Sequence, residues 1–217
     1  MTDYKEPDYW QKKARKEGYP ARSVYKLKEI DEKFNLFSVQ AKQGGVRVLD
    51  IGAAPGSWSL YVLRKFASQK NNRRNILVSA DLSPLCQDFL CKPEFNKSII
   101  NGENFIFIQG DVTTDDVRQN ILSKGPYSVI ISDAAPNTTG NHMIDSARSL
   151  ELAETVLTYA QTSLSPGGNL TLKIFQGSGV DALLKHMRTL FKTAKSFKPQ
   201  ACRGESVETY FVGLGKK

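Results

Sequence analysis

The chain has 217 residues, a formal net charge of +8 and an apolar fraction of 40%. This length and composition are typical of one globular domain that buries a core without disulfides or a structural metal. No run of about 18 apolar residues is present to span a bilayer. The N-terminus has no apolar central region and contains acidic residues, so it fits neither a secretory signal nor a typical transit peptide. We therefore expect a single cytoplasmic domain over residues 1–217, with an organellar location as the alternative if a transit peptide has been removed. A monomer is the simplest expectation.

Cysteine and histidine are scarce and form no metal-binding pattern. Cys86, Cys91 and Cys202 lack CxxC spacing, and His142 and His186 do not cluster with them. A zinc site is not expected, and thiols in a cytosolic chain are expected to be reduced. We predict no metal.

The N-terminal segment 1–45 is basic and aromatic. Residues 5–33 contain nine cationic side chains: Lys5, Lys12, Lys13, Arg15, Lys16, Arg22, Lys26, Lys28 and Lys33. The interleaved aromatic residues are Tyr4, Tyr9, Trp10, Tyr19 and Tyr25. Two interpretations stay open, a solvated helix face or a nucleic-acid interface with aromatic surfaces for stacking. Net positive charge favours a polyanionic partner.

The elements follow in chain order. The stripe Tyr25, Leu27, Ile30 and Phe34 has helical spacing, so the segment 1–45 is predicted to form two short helices. From residue 46 onward, apolar β-branched runs predict strands over 46–51, 75–82, 104–111, 127–134 and 168–175. The periodic segments between and after them predict helices over 57–67, 83–91, 115–123, 145–164 and 179–192.

Two more strand candidates, 194–199 and 206–215, follow with no helix between them. The alternation predicts an α/β fold over 46–217, with a doubly wound, mostly parallel seven-stranded sheet, helices on both faces and an antiparallel C-terminal strand. Segment 84–104 is longer than a tight connection requires, which indicates a surface insertion.

The stretch "VLDIGAAPGSWS" connects the first predicted strand to a helix. Gly52 and Gly56 allow a ligand to lie against the backbone. Ala54 replaces a glycine of the dinucleotide pattern and Pro55 lacks a backbone donor, so the loop is a poor pyrophosphate cradle. The Asp50 carboxylate would repel phosphate and suit a cationic ligand. S-adenosylmethionine carries both an ammonium and a sulfonium.

Two further acids follow the next two strands. Asp81 is placed to accept hydrogen bonds from ribose hydroxyls, and Asp111 to contact an adenine amino group. A lone acid at a strand end is usually a cap or a turn residue, but three acids after three successive strands are much rarer. The residues predict a methyl-donor site, with a dinucleotide-dependent oxidoreductase as the alternative.

Three later residues bring further chemistry to the same sheet edge. Asp133 follows the fourth strand, where ligands of open α/β sheets bind. Lys173 interrupts an apolar strand, and either extends its amine out of the core or has a chemical role. Glu208 lies on the last strand, where an exposed edge carboxylate is the ordinary explanation.

These residues belong to motifs that resemble the FtsJ (RrmJ) family of RNA ribose 2′-O-methyltransferases from about residue 8 to the end. The motifs, in family order, are "EGYPARSVYKLKEI", "DIGAAPGSWS", "SDAAPNTTG", "LKIFQGSG" and "ESVETYFVG". The resemblance implies a Rossmann-like S-adenosylmethionine-dependent methyltransferase whose catalytic Lys-Asp-Lys-Glu tetrad is Lys26, Asp133, Lys173 and Glu208. Ser57 departs from the family's usual glycine, and segment 84–104 is longer than the bacterial pattern.

The resemblance and the loop chemistry together give the expected contacts. The residues expected to bind the donor are Asp50, Gly52, Ala54, Pro55, Gly56, Trp58, Asp81, Leu82, Asp111, Val112 and Asp133. The residues expected to bind RNA are Lys12, Lys13, Arg15, Lys16, Arg22, Lys26, Arg148 and Arg203.

In the expected mechanism, Lys173 is the base that accepts the ribose proton, which requires a lowered pKa. Lys26 would supply the repulsion that lowers it, while Asp133 and Glu208 orient the lysines. The expected substrate is a uridine of large-subunit ribosomal RNA in an assembled subunit. The alternatives are transfer RNA, a non-catalytic RNA-binding protein on the same scaffold, and a methyltransferase for a small molecule or protein.

Overall fold

The computed structural model describes residues 6–39, 45–68, 74–87 and 104–217. The strands are β1 (Arg47–Ile51), β2 (Ile76–Asp81), β3 (Phe105–Gln109), β4 (Tyr127–Ser132), β5 (Leu164–Phe175), β6 (Phe191–Phe197) and β7 (Glu208–Lys216). Within the described residues they form one seven-stranded sheet in the order β3-β2-β1-β4-β5-β7-β6. Of these strands, only β7 runs antiparallel to its neighbours β5 and β6. The predicted fold class is confirmed.

The helices are α1 (Tyr9–Lys16), α2 (Val24–Phe34), α3 (Ser57–Ala67), α4 (Asp115–Ser123), α5 (His142–Ser163) and α6 (Val180–Leu190). The helix predicted over 83–91 is not formed at 83–86, and residues 88–103, with Cys91 and most of the predicted insertion, lie outside the described residues. None of the described helices has the length and apolar character that a bilayer crossing requires.

Strand β5 begins earlier than predicted. It starts at Leu164 and not at Gly168, so it also includes Pro166 and Gly167. The pairing with β4 shifts register between Tyr127 and Val129. Such an irregularity lets a strand accommodate residues that do not fit a regular ladder.

The central strands separate two hydrophobic layers. Val48 of β1 and Val129 of β4 lie in the cluster that contains α3, whereas their neighbours Leu49 and Ile130 lie in the cluster that contains α5. This alternation follows from the two-residue period of a strand. Both faces of β1 and β4 are therefore buried, as parallel strands between helical layers require.

The two N-terminal helices belong to the first of these layers. An Asp8–Gln11 capping box begins α1. Helix α2 buries Val24, Leu27 and Ile30 in the same cluster as α3. This packing brings the basic segment over the sheet.

Asn169 joins the end of the N-terminal segment to the sheet. It is 6% exposed. Its Nδ2 donates to the Leu36 carbonyl at 2.8 Å, and its Oδ1 accepts from the Gly215 N–H at 2.9 Å. One side chain of β5 thus satisfies backbone groups on two other parts of the chain.

We predict that Asn169→Ala destabilises the protein by about 2 kcal/mol or more, because it leaves two backbone groups without partners. Denaturant unfolding of the two proteins measures the difference. Asn120→Ala, at an exposed site on α4, is the matched control and should cost little. Equal stabilities for the two variants would contradict the proposed link.

Candidate active site

The carboxyl ends of the central strands enclose a cavity of about 240 Å³. The predicted donor-site residues that line it are Gly52, Ala54, Asp81, Leu82, Asp111, Val112 and Asp133. Gly52 has φ +79°, and a Cβ there would lie 2.5 Å from Cα of Ala134. Only glycine allows the loop after β1 to approach the segment after β4 so closely.

Two carboxylates of this cavity are held by backbone donors. Asp81 accepts from the N–H of Ala54 and from that of Ser83, each at 2.8 Å. Asp111 accepts from the backbone N–H and hydroxyl of Thr113, which lower its pKa. Lone pairs remain for a ligand on both oxygens of Asp81 and on Oδ2 of Asp111. Oriented anions beside apolar surface fit a nucleoside that carries a cationic side chain.

Asp50 lies beneath the loop and not in the cavity. Its side chain is 0% exposed because β1 is covered on both faces. Oδ2 accepts from the Ser59 hydroxyl at 2.7 Å, and Oδ1 has no hydrogen-bond partner among the described residues. Burial, with smaller contributions from the Asp133 and Asp81 charges, raises the pKa of Asp50 to about 7. The expected direct contact with the donor is therefore not made by this side chain.

Trp58 differs from its expected position in the same way. Its indole N–H donates to the Ser23 carbonyl at 2.9 Å, and its ring packs 6.0 Å from that of Tyr210. The side chain is 2% exposed, so it ties α3 to the start of α2. Pro55 and Gly56 form the turn before α3 and are also absent from the described cavity lining.

The four residues of the expected tetrad lie side by side. Nζ of Lys26 is 2.7 Å from Oε1 of Glu208. Nζ of Lys173 is 3.3 Å from Oε2 of Glu208 and 3.3 Å from Oδ1 of Asp133. All four side chains are 10–15% exposed. The charges alternate along the row Lys26, Glu208, Lys173, Asp133.

This row corrects the expected pKa of Lys173. Burial alone would lower the pKa of Lys173, but the Asp133 and Glu208 charges outweigh it and raise the pKa. Burial alone would raise the pKa of Glu208, but Lys173 and Lys26 lower it to about 2. The prediction of a lowered lysine pKa is wrong for the free enzyme, because the Lys173 amine lies 3.3 Å from each of two carboxylates.

Tyr210 is a member of this site that the sequence analysis missed. Its hydroxyl donates to Oδ1 of Asp133 at 2.6 Å, the oxygen that also faces Lys173. Burial and the neighbouring carboxylates raise its pKa well above the ordinary value. The signal was the strand period: Tyr210 follows Glu208 by two residues and pairs with Lys173 across β5 and β7.

A larger cleft of about 730 Å³ opens on the other side of the tetrad. One wall is the segment before and at the start of α5, from Thr138 to Ser146, and the other is Arg203–Glu208. Lys173 lines this cleft, whereas Asp133 lines the smaller cavity. The Lys173–Asp133 ion pair is therefore the point where the two spaces meet.

The cations expected to contact RNA differ in exposure and in partners. Lys12, Arg15 and Lys16 are exposed on α1. Lys13 lies against aromatic rings, with Nζ 4.8 Å from the ring centroid of Tyr25. Exposed cations beside aromatic faces fit a polyanion that carries planar bases.

Arg22 and Lys26 are not surface cations. Arg22 pairs with Asp8 and donates to the Ala201 carbonyl. Lys26 is 9% exposed within the tetrad. Arg203 lines the larger cleft, and Arg148 is exposed on α5. Arg22 is thus paired within the fold, and its contact with RNA stays a prediction.

Glu29 fixes the wall that carries Arg203. Its two oxygens accept from the N–H groups of Gln200 and Ala201 at 2.6 and 2.8 Å. Glu29 follows Lys26 by three residues, so both side chains share one face of α2. The helix that supplies Lys26 therefore also holds the loop that leads to Glu208.

The sheet, the glycine loop and the acid-lined cavity define a Rossmann-like methyltransferase that uses S-adenosylmethionine. Residues 19–216 match the model of the FtsJ-like methyltransferase family, and the chain belongs to this family. It is 47% identical to "Ribosomal RNA large subunit methyltransferase E" of Treponema denticola, over 99% of this chain and 97% of that protein. The relationship confirms that the protein is an enzyme of the RNA methyltransferase class.

Solved structures agree with the fold. A Plasmodium falciparum protein assigned as a ribosomal RNA methyltransferase superposes with a TM-score of 0.70 at 25% identity, over 91% of this chain and 98% of that one. Human methyltransferase-like protein 13, in complex with SAH, gives a TM-score of 0.51 at 15% identity, over 78% and 71% of the two chains. In the described part of this chain, no group of three or more metal-ligand side chains is suitably placed to hold a metal ion.

We predict that Glu29→Ala lowers the rate of methyl transfer by about 10- to 100-fold, because small displacements of reacting groups cost this much. Donor affinity should stay unchanged, since Glu29 is not among the residues that line the acid-lined cavity. Glu29→Gln keeps one acceptor and should be intermediate. Glu32→Ala, at an exposed site on the same helix, is the control, and a rate for Glu29→Ala equal to that of this control would reject the role.

Proposed function

We propose that this enzyme transfers a methyl group from S-adenosylmethionine to the 2′-hydroxyl of a uridine ribose in large-subunit ribosomal RNA. The main support is the Lys173–Asp133 pair, which connects a nucleoside-sized cavity to an open cleft. The names of the curated relatives support the ribosomal substrate. The exposed cations of α1 support a polyanionic acceptor.

The donor cavity has the groups that this ligand requires. Asp81 would accept from the ribose hydroxyls, and Asp111 from the adenine amino group, beside the apolar side chains Leu82 and Val112. Asp133 would face the cationic part of the ligand. When bound, S-adenosylmethionine would supply the methyl group of its sulfonium, which an in-line oxygen nucleophile accepts as the neutral thioether leaves.

Lys173 would hold and deprotonate the acceptor hydroxyl. In the free enzyme its raised pKa keeps it as an ammonium, which donates hydrogen bonds and accepts no proton. A cation bound beside Asp133 shares that carboxylate and lowers the pKa of Lys173. Occupancy of the donor cavity would thus move the lysine toward the neutral form that accepts the ribose proton.

Glu208 and Lys26 would keep the base in place. Glu208 bridges the two lysines at 3.3 and 2.7 Å, and its low pKa keeps it ionised through the physiological range. Lys26 balances this carboxylate from α2. Because both residues are largely buried, their role is to orient Lys173, and the exposed cations of α1 would contact RNA phosphates.

The test of the substrate is transfer of labelled methyl from S-adenosylmethionine to isolated large ribosomal subunits, with transfer RNA alongside. We expect 2′-O-methyluridine from ribosomal RNA, in a reaction that weakens with added salt. An assembled subunit acting as substrate would place the enzyme in the compartment that holds the ribosome. Label in transfer RNA alone would reject the ribosomal substrate and keep the chemistry.

We predict that Lys173→Met lowers the rate of methyl transfer by about 10²- to 10⁴-fold, the range of general-base catalysis. Donor affinity, measured by calorimetry, should be retained or increased, because Lys173 lies outside the donor cavity lining and its ammonium competes with the donor cation for Asp133. Lys185→Met, at an exposed site on α6, is the control. Turnover of Lys173→Met near that of the control would reject Lys173 as the base.

The rate should also depend on pH with a defined sign. Because the pKa of Lys173 is raised, the neutral amine is a minor species near neutral pH and increases as pH rises. Rates at subsaturating donor and RNA should increase between about pH 6.5 and 8.5, by up to about ten-fold per pH unit. A flat wild-type profile would mean that proton acceptance by Lys173 does not limit the reaction.

A further inference from the structure

Phe175 is an aromatic residue that the methyl-transfer chemistry leaves unused. It is the last residue of β5 and lines the larger cleft beside Lys173. Its neighbour Ile174 lies in a hydrophobic cluster, but Phe175 is in neither cluster formed by the described residues. The ring is half-buried and open to the cleft. Core packing therefore does not explain an aromatic side chain here.

The strand geometry fixes Phe175 next to the tetrad. Lys173 and Phe175 are two residues apart on β5, so their side chains lie on one face of the sheet. Across the antiparallel ladder, Phe175 pairs with Glu208 and Lys173 pairs with Tyr210. The N–H of Phe175 donates to Oγ of Ser149 at 2.9 Å, which fixes the strand end against α5.

The attraction between Lys173 and the ring does not account for Phe175 either. Nζ of Lys173 is 5.8 Å from the ring centroid, close to the outer limit of about 6 Å for such contacts. The same ammonium already has carboxylate partners on Asp133 and Glu208. The ring face is left for another planar group.

We propose that Phe175 stacks on the base of the nucleotide whose ribose is methylated, so that this nucleotide binds unstacked from its RNA neighbours. The inference rests on the proposed function and adds the subsite that receives the acceptor base. The cleft volume of about 730 Å³ is within the roughly 300–1,000 Å³ of sites for small molecules. A base stacked on the Phe175 ring holds its own ribose within a few ångströms of the ring and beside the Lys173 amine.

The two walls of the cleft fit the same ligand. His142 on one wall and Arg203 on the other have planar, hydrogen-bonding side chains. Proteins that bind single-stranded RNA commonly stack bases on aromatic and guanidinium planes and contact the exposed base edges. An acceptor base within a duplex would not reach the floor of the cleft.

The first test compares Phe175→Leu with Phe175→Tyr on large ribosomal subunits. Loss of base stacking should lower kcat/KM for the RNA by about 5- to 100-fold in Phe175→Leu. Phe175→Tyr, which keeps a ring, should stay near the wild type, and donor affinity should not change in either variant. The control is Phe107→Leu, which truncates a partly buried ring on β3 at the far side of the sheet.

The second test removes the base instead of the ring. Subunits reconstituted with an abasic ribose at the methylated position should react more slowly with the wild-type enzyme. On these subunits Phe175→Leu should cause no further loss of rate, because the two changes remove the same interaction. Losses that multiply, or a Phe175→Leu variant as active as Phe107→Leu, would overturn the stacking subsite while leaving the proposed function intact. A wild-type enzyme that methylates no RNA would overturn both.

Discussion

The buried row of alternating charges, Lys26, Glu208, Lys173 and Asp133, is the constraint on which the rest of the site depends. Removing charges from water is costly, and each charge here is compensated by an opposite neighbour at 2.7–3.3 Å. Deletion of one member leaves an uncompensated charge in a largely buried position. The row therefore carries a large desolvation free energy and is sensitive to displacement of any member. This explains why backbone and side-chain contacts hold each of its residues.

The fold delivers these charges from four different elements. Asp133 follows β4, Lys173 is on β5, Glu208 begins β7 and Lys26 is on α2. The antiparallel insertion of β7 beside β5 brings the first residue of one strand opposite the last residue of the other. The N-terminal helices then cover this edge, and the contacts from Glu29 and Arg22 attach them to the loop before β7. The donor cavity and the larger cleft meet at the Lys173–Asp133 pair, at one end of the row.

The sequence predicts the positions of the strands, the two N-terminal helices and the four residues of the tetrad. These features depend on local periodicity and on motifs that resemble a family. It does not predict side chains whose surroundings come from distant segments. Asp50 and Trp58 were expected in the cavity, but packing on both faces of β1 and around α3 encloses them. Arg22 was expected on the surface, but it pairs with Asp8 and donates to the Ala201 carbonyl. The two-residue period of a strand could have indicated Tyr210 and Phe175. Each follows a tetrad residue, Glu208 or Lys173, by two positions on the same strand.

The central claim is that Lys173 is an ammonium shared by two carboxylates until the donor cavity is filled. NMR titration of enzyme labelled with ¹³Cε-lysine, with the Lys173 signal assigned by its loss in Lys173→Met, measures this directly. The account predicts a Lys173 pKa above the ordinary lysine value of about 10.4 in the free enzyme, and a lower pKa after S-adenosylmethionine is added. A free enzyme in which Lys173 is already neutral near pH 8, or a pKa that the donor leaves unchanged, would contradict it.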